Sequence, residues 1–254
     1  MDAGFGWILT LSESDGELHL VKPFDYFLAN IHIPSNIETF SEYDQDKTYS
    51  IQRVFLSANP SETSNFVLLV IVNYRLGFLR NGENHWTSIN LDMLIDYGCL
   101  GYFKGKMYVV NPNNKIHIWD PSGSAEVILT LDDSTVKYLT QDATAYLVES
   151  TVGELLLIMS KNISPDDYIK DETPGFKVMR VDLSKRVCED VKGVGKDAIF
   201  LDHNNTTAVA ASDFPGVLKP NCIYFTDENW GKDVGIYIVE DKSIERFHVE
   251  SLTL

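Results

Sequence analysis

The chain repeats one pattern of short apolar strands and polar turns, and this repetition limits its fold more than any other feature. Stretches that begin at residues 65, 105, 153 and 221 can be laid over one another, and each contains three apolar strands separated by turn residues. Another strand-like run precedes each of them, near residues 50, 94, 143 and 197. Because no long window shows helical periodicity, the sequence predicts an all-β chain.

Four-stranded units at intervals of about 40 to 60 residues are typical of a β-propeller, in which neighbouring repeats bury a shared core. A sandwich or barrel would not explain the internal repeat. We predict a single domain over residues 1–254 with five antiparallel blades. The opening unit, "GWILTLSESDGELHLVKPFDYFLANIHIP", shows only three strands, so we expect an incomplete first blade. The approximate blades are 1–40, 50–92, 94–131, 143–192 and 197–250.

The charge balance disfavours several classes of partner. The chain has 37 acidic against 21 basic residues, a formal net charge of −16 and a pI near 4.7. Such a surface repels phosphate backbones and anionic lipids, so we expect neither nucleic acid nor membrane as a partner. The longest apolar run, "FVLLVIV" at 66–72, has the length of a strand rather than of a membrane span.

Cysteine usage indicates a reducing compartment. Cys99, Cys188 and Cys222 are odd in number, far apart and set in apolar runs, which predicts buried reduced thiols. The first residues lack the basic start of a signal peptide. We therefore expect a cytoplasmic or nuclear location, or an organellar one if a targeting segment precedes the chain.

No pattern for a cofactor or metal is found. The six histidines are scattered without a pair at ligand spacing, so no metal site is expected. "GFGW" at 4–7 lacks the glycine spacing of a dinucleotide loop, and no phosphate-binding Gly-Lys-Ser/Thr loop occurs. The sequence therefore predicts no cofactor and no metal.

One stretch, "SDFPGVLKPNCIYFTDENW" at 212–230, resembles a catalytic constellation. Cys222, His203 and Asp213 would fall on neighbouring strands and their connecting turn, which is a conceivable nucleophile system. A thiol inside an aromatic strand is more typical of a core residue, and nothing indicates an oxyanion hole. We favour a turn at "DFPG", where Pro215 fixes φ and Gly216 tolerates a positive φ.

Residues 176–230, together with "DVGIYIVEDKSIERF", closely resemble the carboxy-terminal signature of the plant domain called DUF295, found mainly in F-box proteins. "GWILTLSESDGELHLVKPF", "SNFVLLVIVNYRLGFLRNGENHWTSI" and "YFKGKMYVVNPNNKIHIWD" extend the resemblance over nearly the whole chain. It implies a kelch-like propeller that binds the substrates of a ubiquitin ligase. "MDAG" runs directly into the first strand without an F-box, so we expect a Skp1-type adaptor as a partner only if an F-box lies upstream.

Three loops are predicted to share one face of the propeller, at 35–50, 160–175 and 227–233. They combine acids with Tyr or Trp, which suits a protein target with a basic surface, whereas Trp86 and Trp119 are expected to pack between blades. The alternative is that these loops are ordinary solvated segments. The candidate partner-binding residues are Tyr43, Asp44, Asp46, Asp166, Asp167, Tyr168, Asp227 and Trp230.

The leading functional hypothesis is a non-catalytic protein-recognition propeller related to ubiquitin-ligase substrate receptors. One alternative is an orphan or organellar propeller without a ligase role. Another is a propeller that hydrolyses glycans, which would need acids from several inner strands in the central channel. Asp96, Glu149 and Asp202 are the acids that those strands offer.

Overall fold

The computed structural model describes residues 2–12, 16–23, 30–35, 51–73, 75–89, 99–110, 115–119, 125–130, 143–161, 175–201, 206–226 and 233–248. The chain divides into two compact units, Met1–Asp96 and Tyr97–Leu254. The described residues form 21 strands, numbered below in chain order, and one short 3₁₀ helix, and the strands are arranged in five sheets. None of the helical structure described is long and apolar enough to cross a bilayer.

The first unit contains two antiparallel sheets of four strands each, in the order of the sequence. Their strands are β1 Asp2–Gly4, β2 Trp7–Leu11, β3 Leu18–Val21 and β4 Asn30–Ile33, then β5 Ile51–Leu56, β6 Val67–Val72, β7 Arg75–Arg80 and β8 Thr87–Ile89.

The expectation of an incomplete first blade was wrong. Strand β1 pairs antiparallel with β2, placing Asp2 opposite Ile8 and Gly4 opposite Trp7 across an irregular register. A strand of three residues that ends in glycine carries almost no local signal, because glycine is depleted in strands. Pairing along the edge of β2 stabilises it instead.

The second unit contains three sheets. Their strands are β9 Cys99–Phe103, β10 Lys106–Val110, β11 Lys115–Trp119 and β12 Ala125–Thr130; β13 Ala143–Glu149, β14 Leu155–Lys161, β15 Phe176–Asp182 and β16 Val187–Asp190; and β17 Asp197–Leu201, β18 Thr206–Ala210, β19 Cys222–Thr226, β20 Asp233–Ile238 and β21 Ser243–His248. The 3₁₀ helix, Ala211–Asp213, follows β18.

The fifth sheet has one strand more than the repeat predicts. Its order is β18-β17-β19-β20-β21, and β17 and β19 run parallel while the other pairs are antiparallel. The sequence "DAIFLDHNNTTAVAA" was interpreted as one strand, whereas it supplies both β17 and β18. Strand β18, rather than β17, packs beside β13 of the preceding sheet.

Apolar side chains on both faces of the sheets bury the core. In β6 every residue from Val67 to Val72 is buried, as expected for a strand covered on both sides. Leu18 and Leu20 of the first sheet share a cluster with Leu68 and Val70 of the second. Each such side chain contributes about 1.5–3 kcal/mol through burial, so adjacent sheets within the unit stabilise each other.

Two tryptophans join the sheets of the first unit. The indole N–H of Trp7 donates to Oδ1 of Asn59 at 3.2 Å, and that of Trp86 donates to the backbone oxygen of Pro34 at 2.8 Å. Both rings are buried, as is Trp119 in the second unit. The prediction that Trp86 packs between blades is confirmed by its cluster with residues of both sheets, and Trp119 is buried as a packing role requires.

Strands β9 and β13 approach each other closely at a glycine. A Cβ added at Gly101 would lie 2.5 Å from the Cβ of Leu147 and 3.1 Å from its backbone oxygen. A larger residue at position 101 therefore cannot fit unless the two strands move apart.

Candidate interaction surface

The eight predicted partner-binding residues lie outside the described residues, so their binding role stays a prediction. His203, Asp96 and Asp202, which were considered as catalytic residues, also lie outside the described residues. Of the acids proposed for glycan hydrolysis, Glu149 is described and is exposed at the end of β13. The residues that the structure does place are Cys222, Asp213 and the turn between them.

Cys222 is a core residue of β19. Its side chain is 2% exposed, and its thiol donates to the backbone oxygen of Pro220 at 3.3 Å. Burial raises the pKa of the Cys222 thiol, which disfavours the reactive thiolate. Asp213 ends the 3₁₀ helix, and its carboxylate lies 3.5 Å from the hydroxyl of Ser212. The turn interpretation is supported by Gly216, whose φ is +76°.

Cys188 departs from the expected burial. It lies on β16, an edge strand of its sheet, and is only partly buried against the core. Neither Cys188 nor Cys222 forms a disulfide. Within the described ranges, no three His, Cys, Asp or Glu side chains are grouped so that they could hold a metal ion.

Among the exposed apolar side chains of the last two sheets, Val187 lies on β16, and three others lie in connections outside the predicted partner-binding loops. Val152 is 73% exposed in the turn between β13 and β14. Phe214 and Val217 are 49% and 75% exposed in the segment that joins β18 to β19. We name Val152, Lys196, Phe214 and Val217 the Phe214 surface. Exposed apolar side chains that lie near one another are typical of interaction sites.

The segment that carries Phe214 is fixed by its own backbone. The Phe214 N–H donates to the Ala211 oxygen at 3.1 Å, and the N–H groups of Val217 and Leu218 both donate to the Phe214 oxygen at 3.1 Å. These bonds fold the residues after the 3₁₀ helix into consecutive turns. Phe214 is therefore held on an ordered backbone rather than on an extended loop.

The far end of the segment is anchored through Lys219. Its backbone N–H donates to the Tyr224 hydroxyl at 2.8 Å, and its ammonium group contacts both oxygens of Glu245 at 2.6 and 2.7 Å. These contacts connect the segment to strands β19 and β21. Since the backbone is already ordered, binding through Phe214 would cost little additional conformational entropy.

A buried carboxylate joins Val152 to the same surface. Asp197, the first residue of β17, accepts a hydrogen bond from the Thr151 N–H at 2.9 Å and another from the Thr151 hydroxyl. The Asp197 backbone is opposite Ala210, directly before the 3₁₀ helix. The turn at residues 150–153 and the segment at 211–221 are therefore at the same end of the fourth and fifth sheets.

This end is opposite the one that carries two of the predicted loops. Strand β14 begins at Leu155, beside the turn that carries Val152, and ends at Lys161, where the predicted loop at 160–175 begins. Strand β19 likewise begins beside the Phe214 segment and ends at Thr226, before the predicted loop at 227–233. The Phe214 surface is thus a separate candidate from the predicted loops.

The charge near the Phe214 surface differs from that of the whole chain. Residues 175–226 contain seven Lys or Arg and six Asp or Glu, against 21 and 37 in the complete sequence. Lys192 and Lys196 are exposed. No ion pair between either lysine and another described residue is found. Lys192 and Lys196 thus offer positive charge close to the Phe214 segment, while Glu149 and Glu240 are exposed at the same end of the blades.

A small cleft lies between the two sheets of the first unit. Its volume is about 160 Å³. Small-molecule sites usually measure about 300–1,000 Å³, so this cleft has the size of a single side chain. Its lining includes His32, Pro34, Phe66, Leu79, Asn81 and Glu83.

Comparison with known proteins agrees with this architecture. Residues 1–238 match the family model described as the KIB1-4 beta-propeller. An Arabidopsis thaliana F-box/kelch-repeat protein, At1g64840, is 26% identical over 178 residues, which is 68% of this chain and 44% of that protein. The Arabidopsis F-box protein KIB4 is 29% identical over 152 residues, covering 57% of this chain and 33% of that protein.

The chain thus spans less than half the length of these relatives. The resemblance to plant propellers of F-box proteins is confirmed, as is the prediction of an all-β fold with five blades. The chain belongs to the KIB1-4 β-propeller family, and its five sheets are the blades of that propeller.

Proposed function

We propose that this propeller is a non-catalytic protein-recognition module, the part of a plant F-box-type ubiquitin ligase receptor that binds the target protein. Membership of a family whose relatives are named as F-box proteins is the observation that carries this proposal. In such a receptor the propeller selects the target, and an F-box elsewhere in the protein would recruit a Skp1-type adaptor.

The Phe214 surface supplies the physical basis for recognition. Aromatic side chains that are rigidly held and partly exposed dominate the binding energy of many protein interfaces. Phe214 is such a side chain, and Val152 and Val217 extend the apolar area around it. The predicted loops at 160–175 and 227–233 would form a second contact region at the other end of these two blades.

The experiment is affinity capture of the tagged product of the complete transcript from plant cells, with the proteasome inhibited so that targets accumulate. The Phe214→Ala variant is compared with Phe5→Ala, because Phe5 is 52% exposed in a turn of the first unit and loses the same ring. We expect the unaltered protein and both variants to capture the adaptor. A target protein should be captured by the unaltered protein and by Phe5→Ala but not by Phe214→Ala.

Each outcome separates the parts of the proposal. A target without an adaptor would exclude the ligase role and leave a recognition propeller. If the adaptor is captured and Phe214→Ala does not change which targets are captured, recognition uses another surface. Neither an adaptor nor a target would contradict the proposal as a whole.

A further inference from the structure

We propose that the Phe214 surface binds an acidic segment of a partner protein, in which an apolar anchor residue is flanked by Asp or Glu. This inference rests on the proposed recognition function and names the chemistry of the partner at that site. It derives from an ordered apolar surface lying beside two exposed lysines that have no ion pair with another described residue.

The apolar half of the surface selects the anchor. Phe214 and Val217 lie one turn apart in the hydrogen-bonded segment, and the Asp197 contacts hold the turn of Val152 at the same end of the blades. An aromatic or branched aliphatic side chain of the partner would remove apolar area from water on both proteins. A purely polar segment would gain nothing from this part of the surface.

The lysines select the flanking charge. The Lys196 backbone oxygen accepts the Ala211 N–H at 3.0 Å, which places Lys196 beside the start of the Phe214 segment. Lys192 lies four residues earlier, in the link between β16 and β17. Neither has a carboxylate partner among the described residues, so both ammonium groups can meet a partner's carboxylates.

Several other basic side chains of these two sheets are already paired, although the exposed Lys242 has no ion pair with another described residue. Arg180 contacts Glu154 and Glu189 at 3.1 and 2.5 Å. Lys185 contacts Asp182 at 3.1 Å, and Lys219 contacts Glu245 at 2.6 Å. Glu149, Asp213 and Glu240 are exposed carboxylates at this end of the two blades. Lys196 borders the Phe214 segment directly, so an anionic partner segment would meet its charge there.

The net charge of −16 does not reverse this preference. At physiological ionic strength the screening length is about 8 Å. Charges at the Phe214 surface therefore interact with a bound partner segment more strongly than charges on other blades do. The remote acids would slow association with an acidic protein, while Lys192 and Lys196 would stabilise the bound state.

The test is selection of a displayed library of random peptides on the immobilised, purified chain. We expect the enriched peptides to combine an aromatic or branched aliphatic residue with flanking Asp or Glu. A synthetic copy of an enriched peptide should bind about tenfold more weakly to Phe214→Ala, as expected for loss of an interface anchor. Phe5→Ala should bind it as well as the unaltered chain does.

Charge reversal tests the electrostatic part. Lys196→Glu combined with Lys192→Glu should weaken binding of the acidic peptide roughly tenfold. This loss of affinity should become smaller as the salt concentration is raised. Lys22→Glu in the first unit, where Lys22 contacts the hydroxyl of Ser61 at 3.0 Å, is the matched control and should leave affinity unchanged.

Three outcomes would overturn the inference: enrichment of basic peptides, acidic peptides that bind Phe214→Ala normally, or no enrichment at all. If a plant target is still captured and lost with Phe214→Ala, the proposed function stands and only the acidic character of the partner is wrong. If no target is captured either, both proposals fail.

Discussion

The buried carboxylate of Asp197 accepts the backbone N–H of Thr151 at 2.9 Å and also the Thr151 hydroxyl, joining the fifth blade to a turn of the fourth. The first residue of β17 is thus tied to the turn that presents Val152. Because Asp197 is only 2% exposed, water cannot easily replace these bonds.

Removal of this carboxylate should destabilise the protein. We expect Asp197→Ala to lower the free energy of unfolding by about 1–3 kcal/mol, because two hydrogen bonds from Thr151 to a buried carboxylate are lost. Asp197→Asn retains one acceptor oxygen and should lose less. Urea unfolding followed by circular dichroism measures the change. Asp213→Ala, at an exposed position, should stay within about 0.5 kcal/mol, and equal losses for positions 197 and 213 would contradict the assigned role.

The first two blades should depend on the indole of Trp86. We expect Trp86→Phe to lower the free energy of unfolding by about 1–3 kcal/mol, since the Pro34 oxygen loses its donor and buried area is lost. The control is Thr87→Ala, an exposed change at the next residue. If thermal and urea unfolding show the same stability for both variants, Trp86 contributes only as a bulky apolar group.

Asp182 should contribute a pH-dependent part of the stability. Hydrogen bonds from the Ser184 hydroxyl, and then from the Lys185 backbone and side chain, hold the pKa of this carboxyl far below its usual value. A lowered pKa in the folded state stabilises the protein above the unfolded-state pKa of about 3.9, and this contribution is lost as pH falls towards the folded-state pKa.

We therefore expect the stability gap between the unaltered chain and Asp182→Asn to be largest near neutral pH and to shrink below about pH 4. Ser184→Ala should raise the pKa of Asp182, as seen in the NMR titration of its carboxyl carbon. A stability gap that is constant from neutral to acidic pH would show that the contacts of Asp182 do not favour its charged form.

The thiols of Cys188 and Cys222 should differ in reactivity. In a Cys99→Ser background we expect a maleimide to modify Cys188 first, because it is partly exposed on an edge strand. Cys222 should react only on unfolding, since burial both shields the thiol and raises its pKa. Cys188→Ser in the same background is the control, and rapid native labelling of that variant would mean that β19 opens readily.

Much of the fold could be predicted from the repeats. Runs such as "VLLVIV" at 67–72 and "LLLIMSK" at 155–161 form single strands because their length and apolar content leave few alternatives. The exceptions are Asp2–Gly4, which is too short to give a local signal, and β18, whose small side chains resemble the continuation of β17. Both strands depend on pairing with a neighbour, which the local pattern does not show.

The candidate surface was missed for a different reason. The pattern "DFPG" predicts a turn at 213–216, but a turn pattern does not indicate whether Phe214, or Val217 after it, is exposed. The available signal was the presence of Phe, Val and Leu within the turn-forming segment "DFPGVL". The hydrogen bonds between Thr151 and Asp197 join residues that are 46 positions apart, so neither local sequence predicts them.

Hydrogen–deuterium exchange of the purified chain, with and without the protein target recovered by capture, tests the central claim most directly. We expect the target to slow exchange at residues 150–153 and 211–219, because binding covers both segments of the Phe214 surface. Slowing confined to residues 160–175 and 227–233 would place recognition on the other end of the fourth and fifth blades. Exchange that is unchanged throughout the chain would contradict recognition by this propeller altogether.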